Sequence, residues 1–467
     1  MREMDSRLAA VLPAGSLFAV GGRVRDELRQ LVEGVHIEHK DLDYVVTGIS
    51  LADLQRLLTP IGRVDLVGAS FAVIKFTAGG ITADVALPRR ERSVGVGHRD
   101  FEVESGAEIA LEDDLGRRDF RMNMLARALP GGELVDPFGG EADIRARRVD
   151  LLTPKAFEED PLRLLRAAQF AARFGYQVTE LTRTEMAAAA PLVKTVSAER
   201  VADELSKLLE RAPKPSVGLE LLRETGVLAC LWPELIEGVG VDQNEWHAHD
   251  VYRHTLATVD ATPPGDLVLR LAALLHDVGK PRTKDGPHFY RHEHVGHDLV
   301  REMLGRFRFS NEIVDSVAHL VRQHMYNSDA DMTDAAIRRF IRRVGLEHLE
   351  RQFALRNADV VGSGLPKRGD HNERFAERVR AEIERQPAFS LKDLQLTGAD
   401  VVQAMIASGA APAGFRGDAR VGTALEWLFE QVTDQPDLNE PNTLRGLLSQ
   451  FLSSGAAAQG SNVQRET

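Results

Sequence analysis

The sequence predicts an α/β domain followed by a long all-α region. Strand and helix patterns alternate from residue 15 to about residue 130. Beyond Lys155, amphipathic helices succeed one another with few strand signals. A chain of 467 residues is also too long for one hydrophobic core, which sets an expectation of roughly two to four domains.

The elements follow in order. Leu17-Phe18-Ala19-Val20 is a short apolar run closed by Gly21-Gly22, and Val24 to Glu33 then has helical spacing. Asp41 to Val46 reads as a strand, Ser50 to Leu58 as a short helix and Ala72 to Phe76 as another strand. Ala78-Gly79-Gly80 reads as a hairpin turn into the strand Ile81 to Ala86. The clearest later helices run from Pro161 to Phe174 and from Ala198 to Arg211. Asp242 to Asp250 is polar and links two units, and helices resume at Val251. The small polar end, SSGAAAQGSNVQRET, reads as disordered.

Composition narrows the class. Hydrophobic residues at 43% and charged residues at 27% are ordinary for a soluble protein. The single cysteine, Cys230, excludes an intrachain disulfide and fits a reducing compartment. No apolar run suits a signal peptide or a membrane span, so a cytoplasmic protein without a membrane partner is expected. The net charge of -12 weighs mildly against nucleic acid, since phosphate binding usually brings a basic excess. Local clusters (Arg89-Arg90-Glu91-Arg92, Arg117-Arg118, and Arg163, Arg166 and Arg173) keep RNA binding along one face open.

Side chains alternate along a strand, so Asp41 and Asp43 share a face while Leu42 turns to the core. Two such carboxylates suit hard cations such as Mg2+. Two cations roughly 4 Å apart activate a 3′-hydroxyl and stabilise leaving pyrophosphate. Asp84, on the strand leaving the hairpin, is a third candidate carboxylate. A lone Asp-x-Asp is usually a solvated strand end. The upstream Gly21-Gly22-Arg23-Val24-Arg25-Asp26 changes those odds, because paired glycines before a helix let backbone N–H groups approach a triphosphate.

Together these blocks resemble the head of the class II tRNA nucleotidyltransferases, relatives of bacterial poly(A) polymerases and DNA polymerase β. Three further blocks match in order: Arg117-Arg118-Asp119-Phe120-x-x-Asn123, Asp136-Pro137-Phe138-Gly139-Gly140-x-x-Asp143, and Glu159-Asp160-x-x-Arg163-x-x-Arg166. The match continues through Glu199-Arg200 and covers nearly all of residues 15 to 235. One departure is Met124, where the family usually has alanine after the asparagine. The resemblance implies a polymerase β-like mixed sheet followed by an all-α neck and body. It implies Mg2+ on Asp41 and Asp43, with Asp84 contributing, and triphosphate binding by Gly21, Gly22 and Arg25. Arg118, Asp119 and Asn123 would face the ribose, and Asp160 and Arg163, assisted by Arg166, would read the base.

Chemistry makes sense of that last pair. Three residues apart on one predicted helix, Asp160 and Arg163 would share a face, and for an isolated example an intrahelical ion pair is the plainer reading. Yet an acceptor beside a donor complements the amino and ring-nitrogen edge of cytosine and adenine, and mismatches guanine and uracil. CTP and ATP would be accepted without a template.

Of the fifteen histidines, many lie between His247 and His324. His276-Asp277 ends the apolar helix that begins at Leu271, and adjacent His-Asp with later histidines favours a metal centre. This half resembles an HD-type phosphohydrolase domain. His254, His276, Asp277 and Asp359 match its four-ligand core, and His292 and His324 match the extra histidines of two-metal versions. The resemblance implies a transition metal (Ni2+, Mn2+ or Co2+) and phosphatase or 2′,3′-cyclic phosphodiesterase activity. His247, His249, His288, His294, His297 and His319 are expected at the surface or behind the ligands. The second dipeptide, His297-Asp298, reads as structural.

The expected organisation is a head (1–145), a helical neck and body (146–240), an HD domain (246–365), a helical C-terminal region (366–453) and a tail (454–467). The expected activity adds C, C and A to the 3′ end of tRNA, held by its acceptor arm, from CTP and ATP. A CC-adding enzyme is the nearest alternative. The resemblance implies that CC-limited members lack a flexible loop between the metal and ribose motifs, and the stretch from Glu91 to Leu115 is long enough to hold it, which favours full CCA addition. A poly(A) polymerase would lack the HD ligands. An HD hydrolase with an RNA-binding head would not need the carboxylates.

Overall fold

The computed structural model describes residues 3–37, 42–67, 73–93, 101–243, 247–329, 331–366, 370–385 and 387–454. Asp41 and the tail from residue 455 lie outside them.

The head is a seven-stranded mixed sheet. Its strands are β1 (Leu17–Val20), β2 (Asp43–Val46), β3 (Arg63–Val67), β4 (Val73–Ala78) and β5 (Ile81–Ala86). A hairpin of β6 (Arg89–Ser93) and β7 (Phe101–Ser105) forms its own two-stranded sheet, and β8 (Ala126–Leu129) and β9 (Leu134–Val135) return to the large one. The order is β3-β4-β5-β2-β1-β8-β9. Only β2 and β5 pair in parallel in this sheet among the described residues. Gly79 and Gly80 both take positive φ (59° and 77°), the two-residue turn that matches strand twist. The predicted strand at Asp41 begins at Asp43 among the described residues, with Leu42 half-buried against the core.

Helix α1 (Gly22–Glu33) follows β1 directly. The neck contributes α2 (Arg163–Phe174) and α3 (Ala198–Arg211), the latter with the bounds its sequence predicts. Five further helices frame the histidine-rich half: α4 (Val251–Asp260), α5 (Leu267–Leu275), α6 (His292–Arg306), α7 (Asn311–Gln323) and α8 (Leu349–Gly362). One apolar core runs through head, neck and this half, from Met4 to Leu355. Fully buried Arg270 on α5 helps join them, donating to the carbonyls of Ala212 (2.6 Å), at the end of α3, and Thr262 (3.0 Å). The C-terminal helices bury a separate core around Met405, Leu428 and Leu448.

Candidate active sites: a strand-borne carboxylate pair and a histidine-aspartate centre

Asp43 and Asp84 are register partners on the parallel strands β2 and β5, locked by the Asp84 N–H to Leu42 carbonyl bond of 2.9 Å. Register partners share a face, so the two carboxylates stand one strand spacing apart on the solvent side of the sheet, a donor set suited to a hard cation. Lys75, opposite Asp84 on β4, extends the row and went unnoticed in the sequence.

The glycine turn sits beside this row. Gly21 has φ 66°, a backbone conformation that favours glycine, and the tip of Arg118 lies close enough that a Cβ there would displace it. From the turn a continuous polar chain runs to the neck. Buried Arg25 donates to Asp26 (2.8 Å) and to Asn123 Oδ1 (2.7 Å), and its guanidinium lies over Phe170 and Phe174. Asn123 donates to Asp119 (2.8 Å), which also accepts from Arg166 (2.7 Å). Arg166 reaches Glu204 on α3 (3.3 Å), and Lys207 donates to the same carboxylate (3.0 Å). Burial alone would raise the Asp119 pKa, but the Arg166 charge and the bonds it accepts hold it below the usual carboxylate range. Glu204 and Lys207 carried no sequence signal of their own.

The base-reading pair departs from expectation. Asp160 and Arg163 do not share a helix: Asp160 is extended (φ -140°, ψ 97°) and α2 starts only at Arg163. The residue before a proline is pushed out of the helical region, and Asp160 precedes Pro161. Nor do the two pair with each other. Asp160 accepts from Arg200 (2.9 Å) and from the Leu162 N–H (3.2 Å). Arg163 donates to the Arg117 carbonyl (2.6 Å) and to Glu159 (3.1 Å). Each group is pinned separately, which excludes the intrahelical ion pair.

In the second half, six predicted ligands converge. His254 on α4, His276 and Asp277 after α5, His292 opening α6, His324 after α7 and Asp359 on α8 come together, and all but Asp359 are buried. Gly279 makes this possible, since a Cβ there would lie 2.3 Å from the His292 carbonyl. His276, His292 and His324 place Nδ1 on the carbonyls of Ala273 (2.9 Å), Phe289 (2.9 Å) and Val321 (2.7 Å). That arrangement puts the Nδ1 proton on the carbonyl and turns the Nε2 lone pair inward. As a result Nε2 atoms face each other, His254 to His276 at 3.1 Å and His292 to His324 at 3.2 Å. Facing lone pairs repel unless a proton or a cation lies between them, so this donor set fits divalent metal.

The electrostatics agree. Burial would lower the His276 pKa, but Asp277 and Asp359 more than reverse it, to about 10. His324 is lowered to about 3 by burial and by the charges of His276 and His292. Asp277 and Asp359 stay far below the usual range despite burial, because His276 and His254 face them. A cavity of about 510 Å³ opens on the centre, lined by His247, Asp277, Lys280, Phe289, Arg356 and Asp359 among others. His247, placed by sequence at the surface or behind the ligands, has donor atoms within 4.8 Å of those of His254 and Asp359. His297 pairs with its exposed neighbour Asp298 (2.8 Å), the structural role its position suggested.

Comparisons with known proteins place the chain in a family. The poly A polymerase head domain matches residues 17–150, the probable RNA and SrmB-binding site of polymerase A residues 175–238, and the HD domain residues 251–364. The multifunctional CCA protein of Thioalkalivibrio sulfidiphilus is 38% identical over 324 residues, 67% of this chain and 75% of the relative. The chain belongs to the multifunctional CCA protein family. Another member, from Cupriavidus taiwanensis, is 33% identical over 80% of this chain and 90% of its own length. Two solved structures share the fold. The Bacillus stearothermophilus CCA-adding enzyme, in complex with CTP, is 23% identical with a TM-score of 0.67, over 95% of this chain and 94% of that one. The Thermotoga maritima CCA-adding enzyme complexed with tRNA is 18% identical with a TM-score of 0.54, over 96% and 99%. Family membership accounts for both sites in one chain. No helix among the described residues is long and apolar enough to cross a membrane.

Proposed function

We propose that the head adds C, C and A to the 3′ end of tRNA, using CTP and ATP and releasing pyrophosphate, and that the HD centre hydrolyses phosphoesters. The observation that carries the first part is the polar chain joining the glycine turn to Arg166, beside the Asp43 and Asp84 pair and the separately pinned Asp160 and Arg163. Family membership supports it, as do fold neighbours solved with CTP and with tRNA.

In this reading Asp41 and Asp43, aided by Asp84, hold Mg2+, which supplies the charge that activates the 3′-hydroxyl and steadies pyrophosphate. The N–H groups after Gly21 and Gly22 receive the triphosphate, with Arg25 bracing the turn. Arg118, Asp119 and Asn123 meet the ribose. Asp160 accepts from the base amino group while Arg163 donates to the ring nitrogen, and Arg166 fixes their frame. In the HD centre His254, His276, Asp277, His292, His324 and Asp359 hold a transition metal such as Ni2+, Mn2+ or Co2+, whose Lewis acidity serves phosphoester hydrolysis. Lys280, paired with Asp277 (2.7 Å), and Arg356, paired with Asp359 (2.9 Å), line the cavity wall, where their remaining N–H groups would meet phosphoryl oxygens. The units correspond to residues 1–145, 146–240, 246–365 and 366–453, working in the cytoplasm.

The test is incubation with tRNA lacking its 3′ end, Mg2+, and CTP with or without ATP. Stepwise addition of C, C and A is expected. A stop after two C residues with ATP present would instead make this a CC-adding enzyme, a long A tail would make it a poly(A) polymerase, and no incorporation would refute the reading.

A further inference from the structure

We propose that His247 closes one of two cation positions in the HD centre and leaves the other open, so that the two differ in affinity and role. The proposal rests on the metal-dependent reading of this centre.

The donor atoms fall into two groups that share Asp277. In the first, His254 Nε2 lies 3.1 Å from His276 Nε2, 3.1 Å from Asp359 Oδ1 and 3.3 Å from Asp277 Oδ2. In the second, Asp277 Oδ1 lies 3.4 Å from His292 Nε2 and 3.8 Å from His324 Nε2. Asp277 thus offers one oxygen to each group and bridges them.

His247 joins the first group alone. Its donor atom, with those of His254 and Asp359, falls within a 4.8 Å set, and its ring meets that of His254 edge-on at 4.8 Å between centroids. His254, His276, Asp277 and Asp359 offer four donors to the first position, with His247 beside two of them, His254 and Asp359, whereas the second position has three. Closed coordination is the mark of a structural metal, whereas a position with three protein ligands keeps room for water and substrate. The surroundings agree with this division. His254 and His276 are buried away from the cavity, whereas His292 and His324 line it together with the carboxylates of Asp277 and Asp359. His247 also lines it, on the side where it would cover the first cation.

The test uses metal-free full-length protein titrated with Co2+, read by equilibrium dialysis and visible absorption. With excess Mg2+ present to occupy the head, wild type should take up two equivalents of Co2+ of unequal affinity. His247→Ala should weaken the tight equivalent by roughly 10- to 100-fold and alter its spectrum, leaving the weak one unchanged. His292→Ala should do the opposite. Incorporation of C by the head, remote from His247, checks that each variant is folded. Equal affinities in wild type, or a tight equivalent indifferent to His247→Ala, would overturn the proposal while leaving the metal reading intact. Absence of any Co2+ uptake would overturn both.

Discussion

In the head, the candidate residues sit on a sheet, a turn and two neck helices, and they reach one another through a string of hydrogen bonds from Asp26 to Lys207. In the HD centre the donors meet directly, Nε2 against Nε2 and carboxylate against ring, with backbone carbonyls behind. The head's carboxylates face solvent and its order comes from partners far apart in the chain. The HD centre is buried, and its inward nitrogens need a proton or a cation between them. The contrast suggests that the head depends on how its units are joined, whereas the HD centre depends on its metal.

The largest expected effects come from breaking each site alone. Asp43→Ala should lower nucleotide incorporation on the order of 1000-fold, the scale for losing a group that stabilises transition-state charge. Phosphate release should be untouched. His276→Ala should do the reverse, and a loss of both activities in either variant would undo the contrast. Both are read from one preparation, by gel extension and by phosphate release.

A smaller effect separates the sites by pH. Without a cation His276 titrates at about 10, so it carries a proton through the neutral range, and metal must expel that proton. Apparent metal affinity should therefore rise about tenfold per pH unit below that value and fall on acidification. Calorimetry in buffers of different ionisation enthalpy should report proton release on metal binding, because the carboxylates raise both His276 and His254. No release would mean that His276 is not a ligand.

The smallest effect tests the relay. Glu204→Ala removes the carboxylate that holds Arg166 from α3 and should cost about 1–3 kcal/mol of stability by urea unfolding. KM for CTP should rise while metal uptake stays the same. An unchanged unfolding midpoint would show that the chain of bonds contributes little.

Local signals made much of this legible. Gly21-Gly22, the Gly79-Gly80 turn and the helix Ala198–Arg211 are written in short stretches, and the fold follows them. The six side chains that converge in the HD centre were named through resemblance, because His276-Asp277 flags the centre. What failed was local geometry overridden by one neighbour: Pro161 forces Asp160 out of the helix that spacing alone predicted. What stayed hidden was long-range. Arg200 holding Asp160, Glu204 holding Arg166 and His247 approaching Asp359 are contacts between segments 38 or more residues apart. No periodicity records such pairings.

The most direct measurement is selective removal of metal. The protein is treated with a chelator that prefers transition metals, in excess Mg2+, and both activities are followed together. The account predicts unchanged addition of C, C and A, with phosphate release lost and then restored by Ni2+, Mn2+ or Co2+. If the two activities fall and recover together, the two sites do not work independently and the account is wrong.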